Sequence, residues 1–234
     1  MAPKVLIVLT SHNKIDAIGK PTGWYLPEFA HPWEVLHDKV DLTIASPNGG
    51  EAPLDPSSIQ MSESDPVAQK FLKEQKALWT NTEKLSDILP RVGEFDAVFY
   101  VGGHGPMYDL AKNPTSHRII RELNAAKKPV SAVCHGPAAL VYAPAPTDAP
   151  LLAGVTVTGF SNSEEDAVNL SSAMPFMLET ELNKFSGGRY VKAAEDWGEK
   201  VVVDTSESGG VVITGQNPAS AAGVGKAILK ALGL

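Results

Sequence analysis

The stretch Lys128-Pro129-Val130-Ser131-Ala132-Val133-Cys134-His135-Gly136-Pro137-Ala138-Ala139 reads as a buried strand that stops at a cysteine and turns at once into a helix. Residues 130–133 are small or β-branched, which suits a strand in the middle of a sheet. His135-Gly136-Pro137 forces a sharp turn, with Pro137 where the first turn of a helix tolerates it. Cys134 is the only cysteine of the chain. A thiol at such a junction meets unpaired N–H groups and the positive end of a helix dipole, and both favour the thiolate. The thiolate is the reactive form, so the sequence predicts a nucleophile. A lone cysteine out of context is ordinarily an inert core residue; here the strand–Cys–His–Gly–Pro–helix setting outweighs that reading.

Working outward, strands and helices alternate along the chain. Residues 5–10, 39–45 and 95–101 read as strands, as do 155–158, 201–204 and 211–214. Helices are expected over 28–38, over 65–78 with Asp65-Pro66 as cap and first position, over 115–126, from about Pro137, and from the cap 216–220 to about Leu232. Residues 47–64, 142–153 and 164–190 give no decisive pattern. The alternation predicts an α/β fold: a flavodoxin-like, doubly wound, mostly parallel sheet sandwiched by helices. With no repeat and no linker, residues 1–234 are expected to form one domain.

Composition excludes several functions. The net charge of −7, with 20 Lys and Arg against 27 Asp and Glu, argues against nucleic acid as a partner. No apolar run approaches a membrane span, and Met1-Ala2-Pro3-Lys4 leads into a strand without a signal-peptide pattern. One cysteine makes no internal disulfide, so a reducing, cytoplasmic setting is expected. No Rossmann or P-loop spacing is present, and no cofactor is expected. His12, His31, His37 and His117 show no metal-ligand spacing with Cys or carboxylates, so no catalytic metal is expected either.

In doubly wound sheets ligands bind outside the carboxyl ends of the strands. Two strand ends draw attention: Gly102-Gly103-His104-Gly105 after 95–101, and Cys134-His135-Gly136 after 130–133. Side by side, the N–H groups of Gly103 and His135 would both reach an oxygen that develops charge beside the sulfur. His104 is expected to line that pocket. His135 does not easily point back at the sulfur of its own sequence neighbour, and needs a carboxylate to orient it. Glu28, among Trp24, Leu26, Pro27, Phe29 and Trp33, is expected to be partly desolvated, with its carboxyl pKa raised.

These motifs, with Gly159-Phe160 … Glu165, Thr214-Gly215-Gln216-Asn217-Pro218-Ala219-Ser220 and the early run from Gly19-Lys20-Pro21 to Ala30-His31-Pro32, resemble the ThiJ/PfpI superfamily over almost the whole chain. Within it the chain is similar to the fungal heat-shock chaperone-like branch of glutathione-independent glyoxalases. The resemblance implies the class I glutamine amidotransferase-like fold, Cys134 as nucleophile with His135 beside it, and Glu28 as the acid touching the thiol. It also implies Glu165 as the carboxylate that orients the histidine, with Glu164 and Asp166 as alternatives one residue away. The implied activity is conversion of a small 2-oxoaldehyde such as methylglyoxal to a 2-hydroxy acid, through a cysteine hemithioacetal. Two other functions stay open: a holdase that binds unfolded client proteins and senses oxidation through Cys134, and a cysteine-dependent deglycase, amidase or peptidase. By resemblance the chain is expected to be a homodimer.

Overall fold

In the computed structural model, which describes residues 2–234, a seven-stranded sheet organises the chain. Across the sheet the strands run Glu83–Lys84, Asp41–Ser46, Lys4–Val8, Ala97–Tyr100, Val130–Val133, Val211–Gly215 and Val201–Thr205. All neighbours are parallel except the last pair, where Val201–Thr205 closes the edge antiparallel to Val211–Gly215. The central strands Ala97–Tyr100 and Val130–Val133 are buried at every residue. Consecutive buried residues point to opposite faces of a strand, so both faces of this sheet are covered.

The covering helices follow from short local signals. Leu26–Leu36 has Pro27 in its first turn and packs along Ala221–Ala231. Pro66–Glu74 is capped by Asp65, whose carboxylate accepts from the N–H groups of Val67 and Ala68. The expected helix over 65–78 stops at Glu74, and a separate turn follows at Ala77–Thr80. Pro114–Ala125, capped by Asn113, packs against Ala97–Tyr100 and Val130–Val133. Trp24, Phe29, Trp33, Phe71 and Trp79 join edge to face in one aromatic cluster behind the first helix. Such a cluster contributes directional packing beyond its buried area.

The structure departs from the expected elements in two places that bear on function. Residues 155–158 form no strand; Val157 makes an isolated bridge with Tyr190, because the sheet edge beside them is already taken by Val201–Thr205. The helix expected from Pro137 is a single turn, Ala138–Val141, which begins four residues past the cysteine. Among the described residues, no helix is long and apolar enough to cross a membrane.

Candidate active site

Ala97–Tyr100 and Val130–Val133 are hydrogen-bonded neighbours, so their carboxyl ends lie together, and the loops Gly102–Gly105 and Cys134–Gly136 meet there. Cys134 itself adopts φ +59, the left-handed region that a non-glycine residue enters at a cost of about 1–3 kcal/mol. The surroundings pin it on both sides. Its N–H donates to the Gly215 carbonyl and its carbonyl accepts from the Phe160 N–H. This sharp reversal brings His135 Nδ1 to 3.4 Å from Cys134 Sγ. The expectation that His135 points away from its neighbour's sulfur is therefore corrected: the left-handed backbone at Cys134 swings the ring back.

His135 Nε2 lies 2.6 Å from Glu165 Oε2, and His104 Nε2 lies 2.9 Å from Glu165 Oε1. Both imidazoles hold Glu165 ionised, well below the ordinary carboxylate range. Burial and the neighbouring His104 push His135 below its ordinary 6.5, so the ring is neutral near pH 7. A carboxylate only accepts hydrogen bonds, so Nε2 must carry the ring proton. Nδ1 then presents a bare lone pair to the sulfur, the arrangement of a base. Ring contacts hold the pair in place, with His135 4.2 Å from His104 and 4.5 Å from Phe160.

Of the three acids in a row, Glu165 is the one that reaches the histidine. Glu164 is occupied elsewhere. It closes a capping box with Ser161, and its Oε1 accepts from Trp197 N–H, Gln216 Nε2 and Asn217 Nδ2. Asp166 accepts from the Ser171 hydroxyl. Gln216 and Asn217, read from sequence as a helix cap, instead anchor the segment that carries Glu165.

Glu28 enters from the other side, on the first turn of Leu26–Leu36, and is wholly buried. Neither carboxyl oxygen has a well-formed protein hydrogen bond. The nearest polar neighbours are the Cys134 thiol and the Gly102 N–H. Burial pushes its pKa well above the ordinary 4.5, so the group is a neutral acid beside the thiol.

Burial and the proximity of Glu28 also push the Cys134 thiol up, with the Gly103 N–H opposing. The depressed thiol pKa expected from a helix N-terminus is thus not what the structure gives. No substantial helix starts at the sulfur, and Cys134 is only 4% exposed. The resting group is a thiol that needs a base, and His135 is placed as that base.

The two glycines of the opposite loop explain themselves sterically. Gly103 has φ +91, and a Cβ there would lie 2.2 Å from the Gly23 carbonyl oxygen. A Cβ on Gly102 would lie 2.3 Å from Glu28 Oε2 and 2.8 Å from Cys134 Cβ. Gly102→Ala is therefore expected to cost about 1–3 kcal/mol of stability by overpacking and to displace Glu28 from the sulfur. Urea unfolding read beside turnover checks this, and a variant with wild-type stability and wild-type activity would contradict it.

All six sequence-predicted residues, Glu28, Gly103, His104, Cys134, His135 and Glu165, line or border one cavity of about 730 Å3. His104 does more than line it, because it shares Glu165 with His135. A second hollow, of about 560 Å3 around Leu72 and Trp79, holds none of them. One grouping escaped sequence reading. The ligand atoms of His104, His135 and Glu165 all lie within 4.8 Å of one another, donors of a kind that bind divalent metals. They come from two loops and the short helix Asn162–Ala167, so no spacing along the chain announces them.

With this geometry in place, comparison with known proteins gives it a context. The sequence pattern of the DJ-1/PfpI family matches residues 24–231. The chain belongs to the DJ-1/PfpI family. It is 30% identical over 227 residues to Glyoxalase 3 of Candida albicans, covering 93% of each chain. The solved structure of glyoxalase III from the same organism superposes with a TM-score of 0.86 at 28% identity, over 98% of this chain and 97% of that one. The Rapid Encystment Protein 24 KDa of Francisella tularensis superposes with a TM-score of 0.89 at 36% identity, over 98% and 99%. Within the DJ-1/PfpI fold, the mostly parallel sheet and its covering helices are thus shared along nearly the whole chain.

Proposed function

We propose that this chain is a glutathione-independent glyoxalase that converts small 2-oxoaldehydes to 2-hydroxy acids. One observation carries the reading: the Cys134 thiol sits between a neutral imidazole whose bare Nδ1 faces it and a neutral, unpartnered carboxylic acid. The relatives named as glyoxalases support it.

In the proposed reaction His135 Nδ1 takes the thiol proton and Sγ bonds to the aldehyde carbon. The carbonyl electron pair moves to oxygen, beside the N–H groups of Gly103 and His135, and His135 returns the proton to give a hemithioacetal. Glu28 then moves two protons at once. One oxygen accepts the proton from C1 while the O–H on the other donates to the C2 carbonyl oxygen, leaving an enediol. The reverse exchange delivers a proton to C2 and removes one from the C1 hydroxyl, leaving a thioester. Water, deprotonated by His135, displaces the thiol and releases the 2-hydroxy acid. Carbon C1 is oxidised and C2 reduced within one molecule, so no outside oxidant or reductant is needed. Glu28 ends each exchange as it began, a role that fits a carboxyl with both oxygens free of protein partners. The proposal takes residues 1–234 as one domain, acting in the cytoplasm as a homodimer.

The test is proton NMR of methylglyoxal with freshly reduced protein in deuterated water, without glutathione. Lactate formation supports the reading, with protium at C2 marking direct relay of the C1 proton by Glu28 and deuterium marking exchange of that proton with solvent; unchanged methylglyoxal sinks it. The orienting role of Glu165 has its own expected outcome. Glu165→Gln replaces an acceptor by an amide that satisfies either tautomer, so kcat should fall by roughly 100- to 10,000-fold with KM little changed. Steady-state kinetics would refute the role if kcat stayed within about threefold of wild type.

A further inference from the structure

The cavity that holds the thiol is far larger than a three-carbon aldehyde requires. Its volume of about 730 Å3 lies in the range of roughly 300–1,000 Å3 that encloses drug-sized ligands. Lys20, Asp55, Ser57 and Asn217 supply polar groups on part of its wall, while one side of the lining is apolar, with Ile15, Met61, Phe160, Val168, Leu170 and Trp197. Three of these carry large apolar side chains into solvent at the mouth, with Met61 76%, Trp197 46% and Val168 37% exposed. Exposed apolar groups gathered around one opening mark a binding surface.

Trp197 is the telling residue. Its backbone is held at φ +65, strained for a bulky side chain, and its N–H is fastened to Glu164 Oε1 at 2.8 Å. Its ring meets Phe160 edge to face at 5.6 Å, and Phe160 in turn lies 4.5 Å from His135. A continuous aromatic wall therefore runs from the catalytic imidazole to the rim, anchored at its outer end by a strained residue. Nothing in the reaction of a three-carbon aldehyde uses that outer half.

We propose that the substrates this site prefers are 2-oxoaldehydes with a bulky apolar substituent, an aryl group or a long alkyl chain, lodged against the Phe160–Trp197 wall. This rests on the glyoxalase reading. The aldehyde carbon meets Cys134 as before, and the substituent fills the outer cavity. Hydrophobic pockets discriminate by roughly 10- to 200-fold for a single methylene, so an aryl group against a methyl should register clearly.

The experiment compares kcat/KM for phenylglyoxal, read as mandelate, with that for methylglyoxal, read as lactate. Wild-type protein is expected to favour phenylglyoxal at least about tenfold, and Trp197→Ala and Met61→Ser are each expected to shrink that ratio. Met61 is so exposed that its replacement does not threaten the fold. Equal values for the two aldehydes, or a ratio that neither variant moves, overturns the proposal. A variant that loses self-association with its ratio intact also overturns it, since the rim then faces a second copy. If neither aldehyde turns over, the glyoxalase reading falls, and calorimetry with mandelate and lactate decides the subsite separately. Tighter mandelate binding that weakens in Trp197→Ala supports the apolar subsite, and equal binding refutes it.

Discussion

Cys134→Ala is expected to abolish lactate formation from methylglyoxal, a loss on the order of 10,000-fold or more. The size of the effect follows from what the sulfur does in the proposed sequence: it bonds to substrate, and every later proton movement takes place on that adduct. No second thiol stands in, since the chain has one cysteine. Folding should survive, because alanine tolerates the φ +59 backbone about as well as cysteine and the two backbone hydrogen bonds that pin the turn remain. Turnover and melting temperature measured together check the claim. Activity that persists in the folded variant would remove the nucleophile from the mechanism.

The second large effect is at Glu28, where Glu28→Gln should lower kcat by roughly 100- to 10,000-fold. Glutamine has nearly the same shape, but its amide cannot exchange protons with carbon, so the hemithioacetal forms and goes no further. The same change should make the protein more stable. Burial raises the folded pKa of Glu28 well above 4.5. Between that ordinary value and the folded one, the unfolded chain is ionised while the folded chain keeps its proton, so folding takes up a proton and stability falls as pH rises. The slope is roughly 1.4 kcal/mol per pH unit across the window. Glutamine has no charge to lose. The variant should melt above wild type near pH 7, and the gap should close as pH falls through 4.5. An inactive variant that is also less stable at pH 7 would point to misfolding instead.

Much of this arrangement is legible in the chain, for identifiable reasons. The strand at residues 130–133 and the turn after it are local features, set by β-branched residues, glycine and proline, and the structure has them in place. The juxtaposition of Gly103 with Cys134 follows from strand adjacency in a parallel sheet. The burial of Glu28 is legible in its aromatic neighbours, but its place at the sulfur only through the resemblance, because a carboxyl in the first turn of a helix is ordinary. What locates it at the sulfur is helix packing across the sheet, which no spacing encodes. The choice between Glu164 and Glu165 did have a local signal. Ser161-x-x-Glu164 is a capping-box pattern, and a glutamate committed to the cap leaves its neighbour free. The orientation of His135 has no local signal: the left-handed turn at Cys134 is a tertiary outcome, fixed by Gly215 and Phe160 from distant parts of the chain. The upward push on the thiol pKa is not legible either, because the helix after Pro137 is one turn long and burial outweighs its dipole.

The most direct test of covalent chemistry at Cys134 is a single-turnover experiment. Reduced protein is mixed with methylglyoxal, quenched in acid at intervals, digested and mapped by mass spectrometry while lactate is followed in the same samples. The expected result is a substrate adduct on the peptide containing Cys134 that rises first and decays as lactate appears. Lactate that accumulates while Cys134 stays unmodified throughout would contradict it.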